Sequence, residues 1–546
     1  MHSPSRPGSA AAGTAAGAPS GAVSPRPFAP AWLGGDAAAA RFLARGFGDA
    51  GERTKSVERA SRRGCPAGLV EALARQHLDL PASGARARNL EALAAGKAAV
   101  VVSGQQVGLF TGPAFSFYKA AGVVAAARRL EAESGLPCVP VFWLQTEDHD
   151  WEEIDHCVVL DHHGAVRRIS AGGGDAPPRA SVAARRFDAT IAAALAELEA
   201  AVGPRPNGAE AVALMARHYR AGASPAAAFR GVLDELFGGD GLLVLDPRTP
   251  EMAALAAPVL ERALLDAESI GEMLGARARD LEGAGFAVQV KVLDGSPLCF
   301  FHPGGAEGDR FRLEACEGGW RLRGHSRDAA APDLAREEAA RLVVSDPLRF
   351  SSSALLRPLV QDYLLPTAVV LGGPGEIGYF AQLAPLYDAM GHALPLEMPL
   401  VAPRPSFCVT TAGDRRRLEA LGTTFAALAG DREEVLGRLP AATSARVDAD
   451  GVEEALLGGF LSELEGFAGA AIALDENLRK PVDKARDSVR HTVHLLVERY
   501  RKSALQHDSV LVERLDRLRA ALAPGGVPQE RVHGLASLAA EHGVAG

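Results

Sequence analysis

The stretch AVVVSGQQVGLFTGPAFSFYK, residues 99–119, decides the fold. It opens on an apolar run, Ala99 to Val102, that ends in Ser103-Gly104 and a glycine-punctuated loop. A helix is predicted from Phe115 to Glu133, and a second apolar run, CVPVFWL, follows at 138–144. Short apolar runs without alternation read as strands buried on both faces. Two of them joined by a helix make a βαβ unit with parallel strands. The loop after the first strand then lies at the carboxyl edge of the sheet, where open α/β folds bind ligands.

Working outward, the α/β signature returns at Thr367–Leu371, followed by GGPGEIG at 372–378 and a helix to about Met390. Between these two parts the pattern loosens. Short strands are expected at Cys157–Leu160, Leu242–Asp246 and Leu298–His302, with one helix from about Pro250 to Gly283. Gly/Asp/Pro-rich stretches at 171–178 and 303–309 read as loops of inserted segments. Beyond Pro405 the chain turns helical from 412 to 523, rich in Ala, Leu, Glu and Arg. Val482, Ala485, Val489, Leu496 and Tyr500 recur as a heptad-like seam. Two long helices joined near Lys480-Pro481 are therefore expected to form an antiparallel, dimer-forming coiled coil rather than a bundle packed on the core. At the other end, residues 1–30 hold 23 Ala, Gly, Pro or Ser residues and are expected to be a disordered tail.

A net charge of −9 argues against a general nucleic-acid binder, which needs a basic field, but leaves room for a local basic pocket. The six cysteines are scattered without metal or redox spacing, so no metal site is expected, and Cys138 and Cys157 read as buried, reduced thiols. No segment is read as a membrane span, and the N-terminus lacks a basic start followed by an apolar run. A cytoplasmic protein is expected.

Three motifs could carry chemistry. The loop Ser103-Gly104-Gln105-Gln106 through Gly112, with Lys119 beyond it, offers backbone N–H groups and a helix N-terminus to an anion. It fits a tight connection equally well. Next comes EDHDWEEIDH, residues 147–156, with six carboxylates and two histidines in ten positions. Glu152 and Glu153 read as a solvated loop, whereas Glu147, Asp148, His149 and Asp150 lie closest to the strand end. A carboxylate there could hold an ammonium, position Mg²⁺ or act as a base. The third, GGPGEIG, contains a formal GxGxxG (Gly373, Gly375, Gly378) with Glu397 about 20 residues on, the outline of a dinucleotide fingerprint. Against it, Glu397 is flanked by Pro395 and Pro399, and Glu376 at the mouth of the turn would repel a pyrophosphate. Upstream, Arg357 is a candidate fork for a carboxylate or phosphate, next to Gln361 and Asp362.

The runs VVSGQQVGLFTGPAFSFYK, EDHDWEEIDH and LLRPLVQDYLLPTAVVLGGPGEIGYFAQLAPLY, with PQERV at 528–532, closely resemble the BshC family, the cysteine-adding ligases of bacillithiol biosynthesis. The resemblance spans roughly residues 95–535 in order. It implies a Rossmann-like core over 31–410, similar to class I synthetases, with connecting-peptide insertions at about 160–235 and 286–345. It also implies a coiled-coil dimerisation domain over 411–525 and a C-terminal helix, 526–546, returning to the core. The implied reaction joins L-cysteine to the amine of glucosaminyl-malate. Such an amide needs an activated carboxylate, most simply an acyl-adenylate or acyl-phosphate from ATP, with Mg²⁺ as its companion. On that footing Ser103 to Gln106, Gly112 and Lys119 are assigned to an anion cradle, joined by Gly373 and Gly375. Asp148 or His149 is assigned as the base, Arg357 to the malyl carboxylates, and Glu147, Asp150, Gln361 and Asp362 to substrate binding. Lys119→Met is expected to abolish ligation with little change in melting temperature. An NAD-dependent oxidoreductase using GGPGEIG, or a non-catalytic coiled-coil scaffold, would be the alternatives.

Overall fold

The computed structural model describes residues 25–293, 295–323, 333–439 and 449–543. Five parallel strands form the central sheet: β1 (Ala99–Gln105), β2 (Cys138–Leu144), β5 (Leu243–Leu245), β11 (Thr367–Gly372) and β12 (Leu400–Pro403), in the order β12-β11-β1-β2-β5. β12 has no forerunner in the sequence reading. Alternate residues of β1 face opposite cores. Val100 and Val102 pack on one side, with the helix Pro374–Gly391 contributing Phe380, Leu383 and Leu386. Ala99 and Val101 pack on the other, with Ala120, Val123 and Val124 of the helix Phe115–Ser134. Both faces being covered explains why these strands read as unbroken apolar runs. Cys138 is buried here and Cys157 in a separate cluster, both as reduced thiols that burial pushes up to about 12.

β1 connects to β2 on one side and meets β11 on the other, so the chain reverses its direction of progress across the sheet between β1 and β11. That gap is the topological switch point, where loops diverge and leave a crevice.

The first insertion carries the hairpin β3 (His156–Leu160) and β4 (Val166–Ser170), followed by three helices. The second is an antiparallel sheet in the order β10-β6-β7-β8-β9: β6 (Cys299–Phe301), β7 (Phe311–Cys316), β8 (Gly319–Arg323), β9 (Leu334–Ala335) and β10 (Phe350–Ser352). The single helix expected over 250–283 is two, Pro250–Leu265 and Ala267–Gly283, broken at Asp266.

Of the expected N-terminal tail, residues 1–24 lie outside the described residues. The remainder is ordered: Arg26 bridges to Phe286, and the helix Phe28–Leu33 buries Phe28 and Trp32. Those two aromatic residues supply the apolar bulk that the preceding tract lacks.

The helices Ala449–Leu474 and Arg479–His507 pack against each other, joined by a turn at Asp475–Leu478. Val482, Val493 and Val497 are buried on the seam, but Leu496 and Tyr500 are exposed, which corrects their assignment to it. From Val482 through Val489 the contact runs in steps of seven, four and four to Val493 and Val497, so beyond Val489 it leaves the heptad step that would have placed Leu496 and Tyr500 on it. Gly451–Leu474 is long and apolar enough by composition to cross a membrane, which the sequence reading missed. Its Glu453 and Glu465 nevertheless pair with His494 and Arg486 of the second helix. The chain then returns, and the helix Leu535–His542 packs on the helix Gly208–His218.

Candidate active site

At the switch point lies a cleft of about 380 Å³. Gln105 and Gln106 line it from the end of β1, Gln145 from the end of β2, and Gly373, Gly375 and Glu376 from the turn after β11. Its charged lining is four cations, Lys119, Arg357, Arg404 and Arg531, against the one carboxylate of Glu376. An acidic protein thus concentrates positive charge at the crevice of its central sheet.

The cations are not equivalent. Lys119 is buried; its Nζ donates to the Gly104 carbonyl at 2.7 Å, to Gln105 Oε1 at 3.1 Å and to Glu376 Oε2 at 2.6 Å. Burial pushes its pKa down, against the upward pull of Glu376. This corrects the expectation of a lysine offering an unpaired charge to phosphate: the ammonium is already balanced and ties the β1 loop to the β11 turn. Arg404, at the end of β12, is paired with buried Glu530 at 2.7 Å. Arg357 donates to the Tyr379 hydroxyl at 2.8 Å; burial works to lower its pKa, but the neighbouring Tyr379 and Glu376 raise it, so it stays charged.

Three expected members of the cradle sit elsewhere. β1 runs to Gln105, so Ser103 and Gly104 are strand residues and not loop residues. Ser103 Oγ donates to the Leu371 carbonyl inside the sheet, at 2.6 Å. At Gly104 a Cβ would lie 2.7 Å from the Trp143 carbonyl, so glycine is there for β1–β2 contact. Gly112, with φ +64, closes a 3₁₀ turn whose Thr111 N–H and Gly108 carbonyl are held by the buried Tyr219 hydroxyl. It does not line the cleft. Gln361 and Asp362 are corrected likewise. Both are buried in the core, where Asp362 accepts from Gln361 and from the Tyr387 hydroxyl.

The acidic loop reaches the same sheet edge as the β1 loop. Gln106 Nε2 donates to Asp148 at 3.4 Å and to Glu153 at 2.5 Å, joining the cleft lining to residues behind it. Glu147 accepts from the backbone and side chain of Ser352 in the second insertion. Asp150 is exposed, and it, Glu147, Asp148 and His149 all lie outside the cleft lining, the last two behind Gln106. Asp148 accepts from the His149 backbone at 2.7 Å and from Arg310 at 3.2 Å. Although burial works to raise it, the hydrogen bonds from His149 and the Arg310 charge hold the Asp148 carboxyl well below the usual carboxylate range. A carboxylate with so little proton affinity is a weak base, and its contacts hold it as an anchor for His149 and Arg310. His149 Nδ1 lies 3.3 Å from Asp148 Oδ1 and 3.4 Å from Arg310.

Behind Asp148 runs a directional relay. The carbonyl of Gly308 can only accept, so His302 Nδ1, 3.2 Å away, carries the ring proton. His302 Nε2 must then accept from Ser351 Oγ at 3.0 Å, and Ser351 Oγ accepts from Arg310 Nε at 3.1 Å. Burial, helped by the Arg248 charge, pushes His302 down to about 3, which keeps the ring neutral and the direction fixed. Arg310 also donates to the Ser352 carbonyl and stacks on Phe300. Arg310, Ser351, His302, Arg404 and Arg531 were all missed as site residues. The signals for them were PQERV, which holds Arg531, and the polar run of Ser351 to Ser353 upstream of Arg357.

The GxGxxG outline does not build a dinucleotide site. Glu376 Oε2 accepts from the Gly373 N–H at 2.8 Å and itself fills the anion position at the helix start. Glu397 is exposed and faces Arg59 at 3.8 Å instead of ending a central strand.

Fold and cleft together define a Rossmann-like α/β protein with a cation-lined switch point and an appended helical coil. The chain matches the family model described as bacillithiol biosynthesis BshC, N-terminal Rossmann-like domain, over residues 24–405, and that of the BshC C-terminal coiled-coil domain over 462–545. It belongs to the BshC family. A relative from Koribacter versatilis is 32% identical over 84% of this chain and 82% of its own length. One from Solibacter usitatus is 30% identical over 88% and 85%. Both carry the name "Putative cysteine ligase BshC".

Proposed function

We propose that this chain is a ligase of bacillithiol biosynthesis that adds L-cysteine to the amine of glucosaminyl-malate, using ATP. The observation that carries this reading is the concentration of four cations at the switch point of an acidic protein whose relatives are named cysteine ligases. ATP supplies the leaving group that makes the cysteine carboxylate electrophilic. The cleft fits anionic partners: Arg357 keeps guanidinium donors beyond the one given to Tyr379, and Arg404 lies beside it. Gln105, Gln106 and Gln145 offer amide donors and acceptors along the β1–β2 edge. Mg²⁺ would enter with the nucleotide phosphates, which need no preformed protein cage.

The amine must lose its charge before it attacks. His149 is the base in this reading, with Asp148 facing Nδ1 as its orienting carboxylate and Arg310 holding that carboxylate. Lys119 ties the end of β1 to the turn after β11, through the Gly104 carbonyl and Glu376. Assembly as a homodimer through the coil is part of the proposal: Phe460, Phe467 and Leu474 form an exposed stripe seven residues apart on the first coil helix.

The test is a mass-spectrometric assay of the purified protein with ATP, L-cysteine and glucosaminyl-malate. Bacillithiol, formed only when all three are present, is expected. Its absence in every combination, with the protein folded and binding neither ATP nor glucosaminyl-malate, removes the ligase reading.

A further inference from the structure

The C-terminal segment 528–534 does more than close the chain. Gln529 and Glu530 are buried and hold the linker that leads from the sheet to the helical domain. Glu530 accepts from Arg404, from Ser406 Oγ and from the Phe407 N–H, at 2.7, 2.8 and 2.9 Å. Gln529 accepts from the Val409 N–H and donates to the Val409 and Ala521 carbonyls. On the other flank, the His533 carbonyl accepts from the Ala114 N–H at 2.8 Å, at the start of the helix Phe115–Ser134, and Gly534 bridges to Pro113. The 3₁₀ turn Gln529–Arg531 is thereby fastened on both sides.

Between these fastenings Arg531 is exposed on the cleft wall. It differs from the other three cations there. Lys119 is balanced by Glu376, Arg404 by Glu530, and Arg357 is bonded to Tyr379, whereas the Arg531 guanidinium makes no hydrogen bond or ion pair with another described residue. A cation on a rigid backbone with five open donors suits bidentate capture of a planar or tetrahedral oxyanion. We infer that Arg531, carried over the cleft by the chain's return from the helical domain, is a specificity-determining residue that binds the carboxylate or phosphate oxygens of the anionic substrate. This rests on the cleft being the substrate site, as proposed above. It adds that the far end of the chain supplies a binding group which the sheet and its loops lack.

The experiment is isothermal titration calorimetry of the full-length protein with malate, with ADP and with inorganic phosphate, on wild type, Arg531→Gln and Arg531→Lys. Equal melting temperatures are expected for all three proteins, because Arg531 is exposed and contributes nothing to the core. Arg531→Gln is expected to weaken binding of at least one of these anions by about tenfold or more, with partial recovery in Arg531→Lys. Loss confined to malate marks the carboxylate end as its partner, and loss confined to ADP and phosphate marks the phosphates. If wild type binds these anions and Arg531→Gln binds them equally well, the inference is overturned while the cleft reading stands. If wild type binds none of them, both fall.

Discussion

The Lys119 ammonium lies 2.6 Å from Glu376 Oε2, and this contact joins the helix that follows β1 to the helix that follows β11. The side chains are 4% and 15% exposed, so the pair is nearly out of water. Removing one partner leaves the other charge buried and uncompensated, which costs more than the pair itself contributes. Lys119→Met should therefore lower stability by about 3 kcal/mol in urea unfolding, contrary to the small effect the sequence suggests. The double variant Lys119→Met, Glu376→Leu should recover most of that loss. A single variant as stable as wild type would show that the pair is solvated.

His149 and Asp148 should separate kinetically. His149→Gln is expected to lower kcat by about 10²–10⁴-fold and to flatten the acid limb of the rate–pH profile. Asp148→Asn, which keeps the shape but loses the charge facing Arg310, should cost less. Equal, small losses in steady-state assays for both would assign the acidic loop to structure alone.

Stability should fall in acid through His302. Its folded pKa, about 3, is below the ordinary value of about 6.5, so between these limits the unfolded chain binds the extra proton. Stability therefore rises with pH across that window, by up to roughly 1.4 kcal/mol per pH unit, and is unaffected by this group above it. His77, buried and lowered to about 4, acts in the same direction. His302→Gln should flatten the dependence measured by urea unfolding between pH 4 and pH 6.5, and an unchanged slope would exclude His302 as its source.

Two glycines should behave oppositely. Gly104→Ala forces a methyl group against the Trp143 carbonyl of the neighbouring strand and should destabilise by about 1–3 kcal/mol. Gly375→Ala meets nothing closer than Gln289 Nε2 at 3.9 Å, and its φ is not in the left-handed region, so its melting temperature should match wild type. A reversed order of melting temperatures would contradict the β1–β2 register.

In the coil, Val493 is 3% exposed and Phe467 is 64% exposed. Val493→Asp should unfold the helical domain, seen as lost helicity by circular dichroism. Phe467→Glu should keep the helicity and convert a dimer to a monomer in sedimentation. A wild type that is already monomeric at micromolar concentration would remove the proposed assembly.

What the sequence by itself determined is whatever depends on local period and composition. The buried runs 99–102, 138–144 and 367–371, the helix between the first two, and the long helices of the coil were legible because burial on both faces or along one stripe leaves a repeating pattern. So was the position of both glycine-rich loops at one sheet edge, because parallel strands put all their carboxyl ends together. The tertiary structure alone decided which side chains face the cleft. Ser103 was pulled into the sheet by three further residues of β1, and Lys119 found a partner 257 residues away. Arg531 came to the cleft from the last turn before the helix Leu535–His542, and Arg310 came to Asp148, behind the cleft, from the turn into β7. Whether a charged group is free or balanced depends on partners distant in sequence, and at such separations neither spacing nor composition records the contact.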